Sequence, residues 1–191
     1  MLRQIFVAVM TAAIALTVLP AVAADQKPLE LFGVTLKGAT RDQLRQAFKK
    51  NELIATREEN SYWVDTYDVK GVLEGASSLN AGYVSSSGKF AFAEYTFPSF
   101  MDTQSVAKVI NMVAIKYGRP SSQSGSYDLG QVTAKWNVGQ GMQITVSRGW
   151  PETTTYLNFT DSSARNQMNA EIDAEKKAQV AQKAKAQSKA F

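Results

Sequence analysis

Asp102-Thr-Gln-Ser-Val-Ala-Lys-Val-Ile-Asn-Met-Val-Ala-Ile-Lys-Tyr-Gly-Arg-Pro120 is the stretch whose reading decides the fold. Val106, Val109, Ile110, Val113 and Tyr117 recur at spacings of three and four, which places them on one apolar stripe of a helix. Asp102 is positioned to cap its first turn, Gly118 to end it in a left-handed conformation, and Pro120 to forbid its continuation. A stripe that wide needs an opposing surface, and the residues that follow supply one. After a Ser/Gly-rich turn, Val132, Ala134 and Trp136 alternate with polar residues. Met142, Ile144 and Val146 then alternate with Gln143, Thr145 and Ser147, as in a half-buried strand. Residues 153–159 make a last strand with Thr155, Leu157 and Phe159 inward.

The preceding residues repeat this order. Residues 27–36 read as one extended entry strand. Thr40-Arg-Asp-Gln43 has the spacing of a capping box, and Leu44, Ala47 and Phe48 form the inner face of a short helix. Arg41, Arg45, Lys49 and Lys50 are expected to point mostly outward. Strands follow at 61–69, 79–84 and 89–97, with Ser85–Gly88 as a hairpin turn. The face of Trp63, Asp65, Tyr67 and Val69 is the inner one, and Asp65 sits awkwardly on it. The expected class is α+β: a mainly antiparallel sheet, two helices packed on one face, and two halves that each run helix then meander. Residues 24–160 make this single domain. From residue 161 the chain turns Ala/Lys/Gln-rich, a helical tail on which Met168 and Ile172 can dock before the remainder frays.

The 191 residues include no His and no Cys, which removes Ser-His-Asp and Cys-His catalysis, thiolate zinc sites and disulfides. No cofactor and no metal site is expected, and no Asp-x-Asp-x-Asp calcium loop occurs. The net charge of +4 is uneven: residues 24–160 hold 14 basic against 13 acidic residues, while the segment from Lys176 onward has five lysines and no acid. A near-neutral domain with a basic end argues against a dedicated nucleic-acid binder, and no nucleic-acid partner is expected. At the N-terminus, Arg3, an apolar run from Ile5 to Leu19 and the small residues of Ala21-Val-Ala23 read as a secretory signal peptide over 1–23. The expected product is a periplasmic or secreted protein with no stable membrane insertion. Its basic tail is suited to weak contact with anionic lipid or the cell wall.

Gly38-Ala-Thr-Arg-Asp-Gln-Leu44, opening a helix just after that leader, resembles the helix start of small bacterial envelope domains. These are the outer-membrane assembly lipoproteins of the SmpA/OmlA type and the repeats of secreted β-lactamase inhibitory protein. Lys116-Tyr-Gly-Arg-Pro120, closing a helix before a strand, is similar to a junction in exported domains of this kind. The resemblance implies an α/β domain that binds another envelope or secreted protein without His or Cys, as an inhibitor or assembly accessory.

The candidate binding residues are Arg148, Trp150 and Tyr156. Arg148-Gly-Trp-Pro151 reads as a turn between strands, and an Arg and a Trp at such a tip are residue types that often dominate interfaces. No catalytic residue is assigned. The alternative is a small envelope or peptidoglycan hydrolase using a carboxylate pair drawn from Asp65, Asp68, Glu74 and Glu94, since such chemistry needs only an acid and a second carboxylate.

Overall fold

A computed structural model describes residues 27–149, 151 and 153–190; the expected leader, Trp150 and Glu152 lie outside them. The chain begins with a hairpin rather than one entry strand. Phe32 and Gly33 take positive φ (49° and 78°) and fold β1 (Glu30–Leu31) back onto β2 (Val34–Thr35). Next comes α1 (Arg41–Lys50), opened by the predicted capping box: the Thr40 hydroxyl accepts from the Gln43 N–H, and Gln43 accepts from the Thr40 N–H. Four strands follow, β3 (Ile54–Arg57), β4 (Val64–Asp68), β5 (Ser78–Tyr83) and β6 (Phe90–Pro98). The second half is α2 (Ser105–Tyr117) with β7 (Ser122–Ser126), β8 (Gln131–Asn137), β9 (Met142–Arg148) and β10 (Thr154–Asp161). A long helix, α3 (Ser162–Gln187), ends the chain.

All eight strands from β3 onward join one antiparallel sheet in the order β3-β4-β5-β6-β10-β9-β8-β7. Each half is therefore one helix and a four-stranded meander, and the fourth strands of the two meanders pair at the centre, with Tyr95 opposite Leu157. The inner face carries Leu79, Ala81, Ala93, Tyr95, Phe97, Val132, Ala134, Trp136, Ile144, Val146, Leu157 and Phe159. Leu44 and Phe48 of α1, and Val106, Val109, Ile110 and Val113 of α2, pack on it in a single core. The α2 stripe is thus the predicted one, and Gly118 ends the helix at φ 79°. Its start differs. Asp102 accepts from the Gln104 N–H in a turn ahead of the helix, and Gln104 at the cap position makes no side-chain cap. Edge strands β3 and β7 are additions to the sequence reading. Ser122-Gln-Ser-Gly-Ser126 carries no apolar alternation, and only pairing with β8 makes it a strand.

The opposite face is polar and open over most of its width, as one face of an antiparallel sheet can be. At one end of the strands α3 crosses it. Met168 is buried there against Val84 and Ala91, with Trp63, Val64, Phe92, Ala164 and Ile172 around it. Trp63 thus belongs to the α3 side, not to the inner face with Asp65, Tyr67 and Val69. A methyl group at Gly82 would overlap the Phe92 ring, so the absence of a side chain lets Phe92 lie across β5. The Arg165 guanidinium stacks 3.9 Å from that ring's centre.

Candidate functional site at the loop end of the sheet

Away from α3, the connections 69–77, 99–104 and 127–130 meet at the other end of the strands, where β9 ends and β10 begins. Arg148, the last residue of β9, stands opposite Val132 and Thr155 on the inner face and is 2% exposed. A buried guanidinium needs acceptors. Its Nη1 donates to the Gly130 carbonyl at 2.8 Å and its Nη2 to the Phe100 carbonyl at 2.9 Å. One side chain thus ties the β7–β8 turn to the segment between β6 and α2. A methyl group on Gly130, which sits at φ 64°, would overlap the guanidinium, so this approach requires glycine. The Ser99 N–H donates to the Thr153 carbonyl at 3.0 Å, and the Ser99 and Thr155 hydroxyls are 2.9 Å apart, joining the start of β10 to the same knot.

What the knot presents is apolar. Phe100 is 76% exposed, Met101 84% and Leu129 67%. Phe100 sits at φ 40°, a conformation a bulky residue holds only when its surroundings impose it. Exposed Asp102 and Asp128 adjoin these residues in the chain, Asp102 with Lys108 at 3.6 Å. Beside them, Pro98 and the loop through Leu73, Glu74 and Gly75 border two open depressions of about 600 and 460 Å³. The loop end therefore offers protruding apolar side chains next to shallow hollows, on backbone anchored by buried hydrogen bonds.

Two of the sequence candidates, Arg148 and Tyr156, lie on opposite faces of the sheet. Arg148, proposed from the sequence as a binding residue at a turn, is turned inward, and its terminal nitrogens donate to the Gly130 and Phe100 carbonyls, so here it positions loops. Tyr156 lies half-buried on the polar outer face, opposite Ser147 and Thr96, on the other side of the sheet from Arg148. Trp150, between Gly149 and Pro151, lies outside the described residues. Phe100, Met101 and Leu129 escaped the sequence reading. The available signal was an apolar pair inside Pro98-Ser-Phe-Met-Asp102, a turn-rich segment where core residues are not expected.

The carboxylates raised for catalysis are scattered. Asp65 is fully buried on the inner face, where Arg41 reaches it at 2.6 and 3.1 Å and Arg45 at 2.8 and 2.9 Å. Burial by itself would raise its pKa; the hydrogen bonds from Arg45 and Arg41 reverse that and hold the carboxyl below its usual range. The same contact raises the pKa of Arg45. Both arginines are consequently turned in rather than out. Arg41 also donates to the Glu59 and Tyr62 carbonyls, and Arg45 to Asn60, so the pair anchors the β3–β4 loop. Tyr67 donates to Glu58 at 2.7 Å, and burial first, then that bond, raises its pKa. Asp68 and Glu94 face the opposite way, on the outer face and one strand apart. Glu74 is exposed in the 69–77 loop. Among the described residues, no group of three or more acidic side chains could hold a metal ion.

An antiparallel α+β domain with a pinned apolar loop end is the class these features define. No protein-family model and no curated protein matches the chain. Among solved structures it is distantly similar to a DUF4309 family protein (YjgB) from Bacillus subtilis subsp. subtilis str. 168, at 14% identity over 67% of this chain and 82% of that one, with a TM-score of 0.40. A likeness at that level says nothing of function.

Proposed function

We propose that this protein is a non-enzymatic binding module of the bacterial envelope that captures another protein through the loop end of its sheet. The observation that carries the reading is Phe100 and Met101, three-quarters or more exposed, on backbone that buried Arg148 fixes. Apolar side chains carried on an anchored backbone spare the cost of ordering that backbone on binding, which favours affinity. Asp102 and Asp128 beside them suit a partner with an apolar pocket and a cationic rim. The resemblance of Gly38–Leu44 to protein-binding envelope domains, and the leader-like residues 1–23, support the same reading and an exported product.

The test begins with the mature protein immobilised in envelope extract and proceeds to purified partner and measured dissociation constants. Replacing Phe100 and Met101 together with Ser should weaken binding by at least ~2 kcal/mol, about thirtyfold. The midpoint of thermal unfolding should not fall, because neither side chain is buried. Trp150→Ala should weaken binding to a similar extent if the turn joins the patch. Wild-type affinity in the Phe100/Met101 variant would overturn the proposal.

A further inference from the structure

The two halves of α3 differ in burial, the first lying against the sheet and the second exposed. Up to Ile172 the helix is fastened. Met168 is 2% exposed, Arg165 stacks on Phe92, and Glu171 accepts from the Ser85 N–H at 2.9 Å and from the Ser86 hydroxyl. These bonds, that from Ser86 foremost, lower the Glu171 pKa. From Asp173 to Lys189 every residue is exposed. The helical part of that stretch, 173–187, extends for roughly 22 Å at about 1.5 Å per residue. It carries Lys176, Lys177, Lys183 and Lys185, with Lys189 just beyond, and no acid after Glu175. The docked domain is close to neutral, so the molecule's excess positive charge is concentrated on this rod.

The arrangement of the charges selects the partner. At about 100° per residue, Lys176 and Lys183 fall within ~20° of each other, Lys177 lies ~100° round, and Lys185 lies on the opposite side. A helix that lies on a bilayer needs a bulky apolar face opposite its basic one. Here Val180, the sole bulky aliphatic residue from 173 to 190, lies ~40° from Lys176 among the lysines, and the arc free of lysine holds only Glu175, Ala178, Gln179, Gln182 and Ala186. A flat anionic surface would meet only some of these ammonium groups at once. A flexible chain can wind round and meet all of them, and lysine serves phosphate as a point charge without demanding planar geometry.

We infer that residues 173–190 are a docking rod for a flexible phosphate-bearing polymer, rooted at the end of the sheet opposite the apolar loops. The rod and the loop end can therefore be occupied together, and the inference stands independently of the proposed protein partner.

The experiment uses the full mature chain and fluorescently labelled long-chain polyphosphate, with binding followed by anisotropy. With four lysines engaged, a slope of about −0.7 per charge implies a roughly fiftyfold loss of affinity between ~50 and ~200 mM salt. Changing Lys176, Lys177, Lys183 and Lys185 together to Gln should weaken binding at least tenfold and remove most of the salt dependence. The four-fold Lys→Arg variant should bind like the wild type, and so should the Phe100/Met101 variant. Helical circular dichroism on each variant confirms that the rod persists. Undiminished polymer binding by the Gln variant would overturn the inference, as would no binding by the wild type at low salt. Tighter binding to phosphatidylglycerol vesicles than to polyphosphate at equal phosphate would transfer the surface to membranes and overturn it equally.

Discussion

Residues 40–98 and 105–161 build the same object, a helix on a four-stranded meander, from different chemistry. In the second half α2 buries Val106, Val109, Ile110 and Val113, and the sheet beneath it offers Val132, Ala134, Ile144 and Val146. In the first half α1 buries only Leu44 and Phe48, and the rest of its attachment is ionic, through Arg41 and Arg45 to Asp65. The apolar stripe supplies transfer free energy wherever it meets apolar surface. The ion cluster contributes little net stability, because desolvation offsets much of its attraction, yet it tolerates no missing member. It also does something the stripe cannot: through the Glu59 and Tyr62 carbonyls it fixes a loop. Arg148 performs the corresponding task in the second half, holding the β7–β8 turn. Both halves therefore assign an inward arginine to the turn of their first hairpin, partly buried Arg41 in one and buried Arg148 in the other, and only the first half keeps a buried aspartate with it among the described residues.

The sharpest way to break this comparison is Asp65→Ala. Two inward arginines would be left facing each other without their counter-charge, and the expected loss is ~3–5 kcal/mol in denaturant melts. Replacing Asp65, Arg41 and Arg45 together with apolar residues of similar size should cost much less. A single variant no worse than the triple one would show that the cluster is not coupled.

Ile110→Ala probes the apolar half. A buried stripe position emptied to Ala should cost ~2–5 kcal/mol through lost transfer energy and a cavity, whereas Lys108→Ala, with its side chain 77% exposed, should stay within ~0.5 kcal/mol. Equal midpoints for the two would mean that the wrong face of α2 is buried.

Acid should separate the halves. Asp65 has a folded pKa below its unfolded one, so its contribution is complete above the ordinary carboxylate value of about 4 and is lost as pH falls through the folded value. Stepping pH downward should therefore accelerate amide exchange in α1 and β4 before α2 and β8, and Asp65→Asn should flatten that pH dependence. Simultaneous loosening of both helices would remove the distinction between the halves.

The smallest expected effect is from deleting residues 176–191. The helical residues beyond Ile172 are exposed throughout, so the thermal midpoint should not move. Their amides should exchange quickly in the intact protein, while those around Met168 stay protected. Protection continuing past Lys176 would mean that the rod has a partner within the protein.

Much of the architecture was legible because it is local. The stripe of α2, the capping box at Thr40 and the alternation of β9 all reside within a few residues, and each survives as expected. The expected frayed tail is a helix through Gln187, in keeping with its Ala-, Lys- and Gln-rich composition. The edge strands were not legible, because Ser122–Ser126 becomes a strand only by pairing with β8. Nor was the site: the alternation of Met142, Ile144 and Val146 puts Arg148 on the inner side by parity, but nothing local tells that the strand reaches so far or which carbonyls accept from it.

By itself, then, the sequence determined which faces of α1, α2 and the central strands are apolar, because hydrophobic period is a property of neighbouring residues. It also determined that positive charge gathers at the C-terminal end. Tertiary structure alone decided that the sheet closes with β6 against β10, that Asp65 meets Arg41 across 24 residues, and that Arg148 reaches the Phe100 carbonyl across 48. The physical reason is that a buried charge takes its partner from whatever the fold brings within hydrogen-bond distance, and no local pattern records that choice.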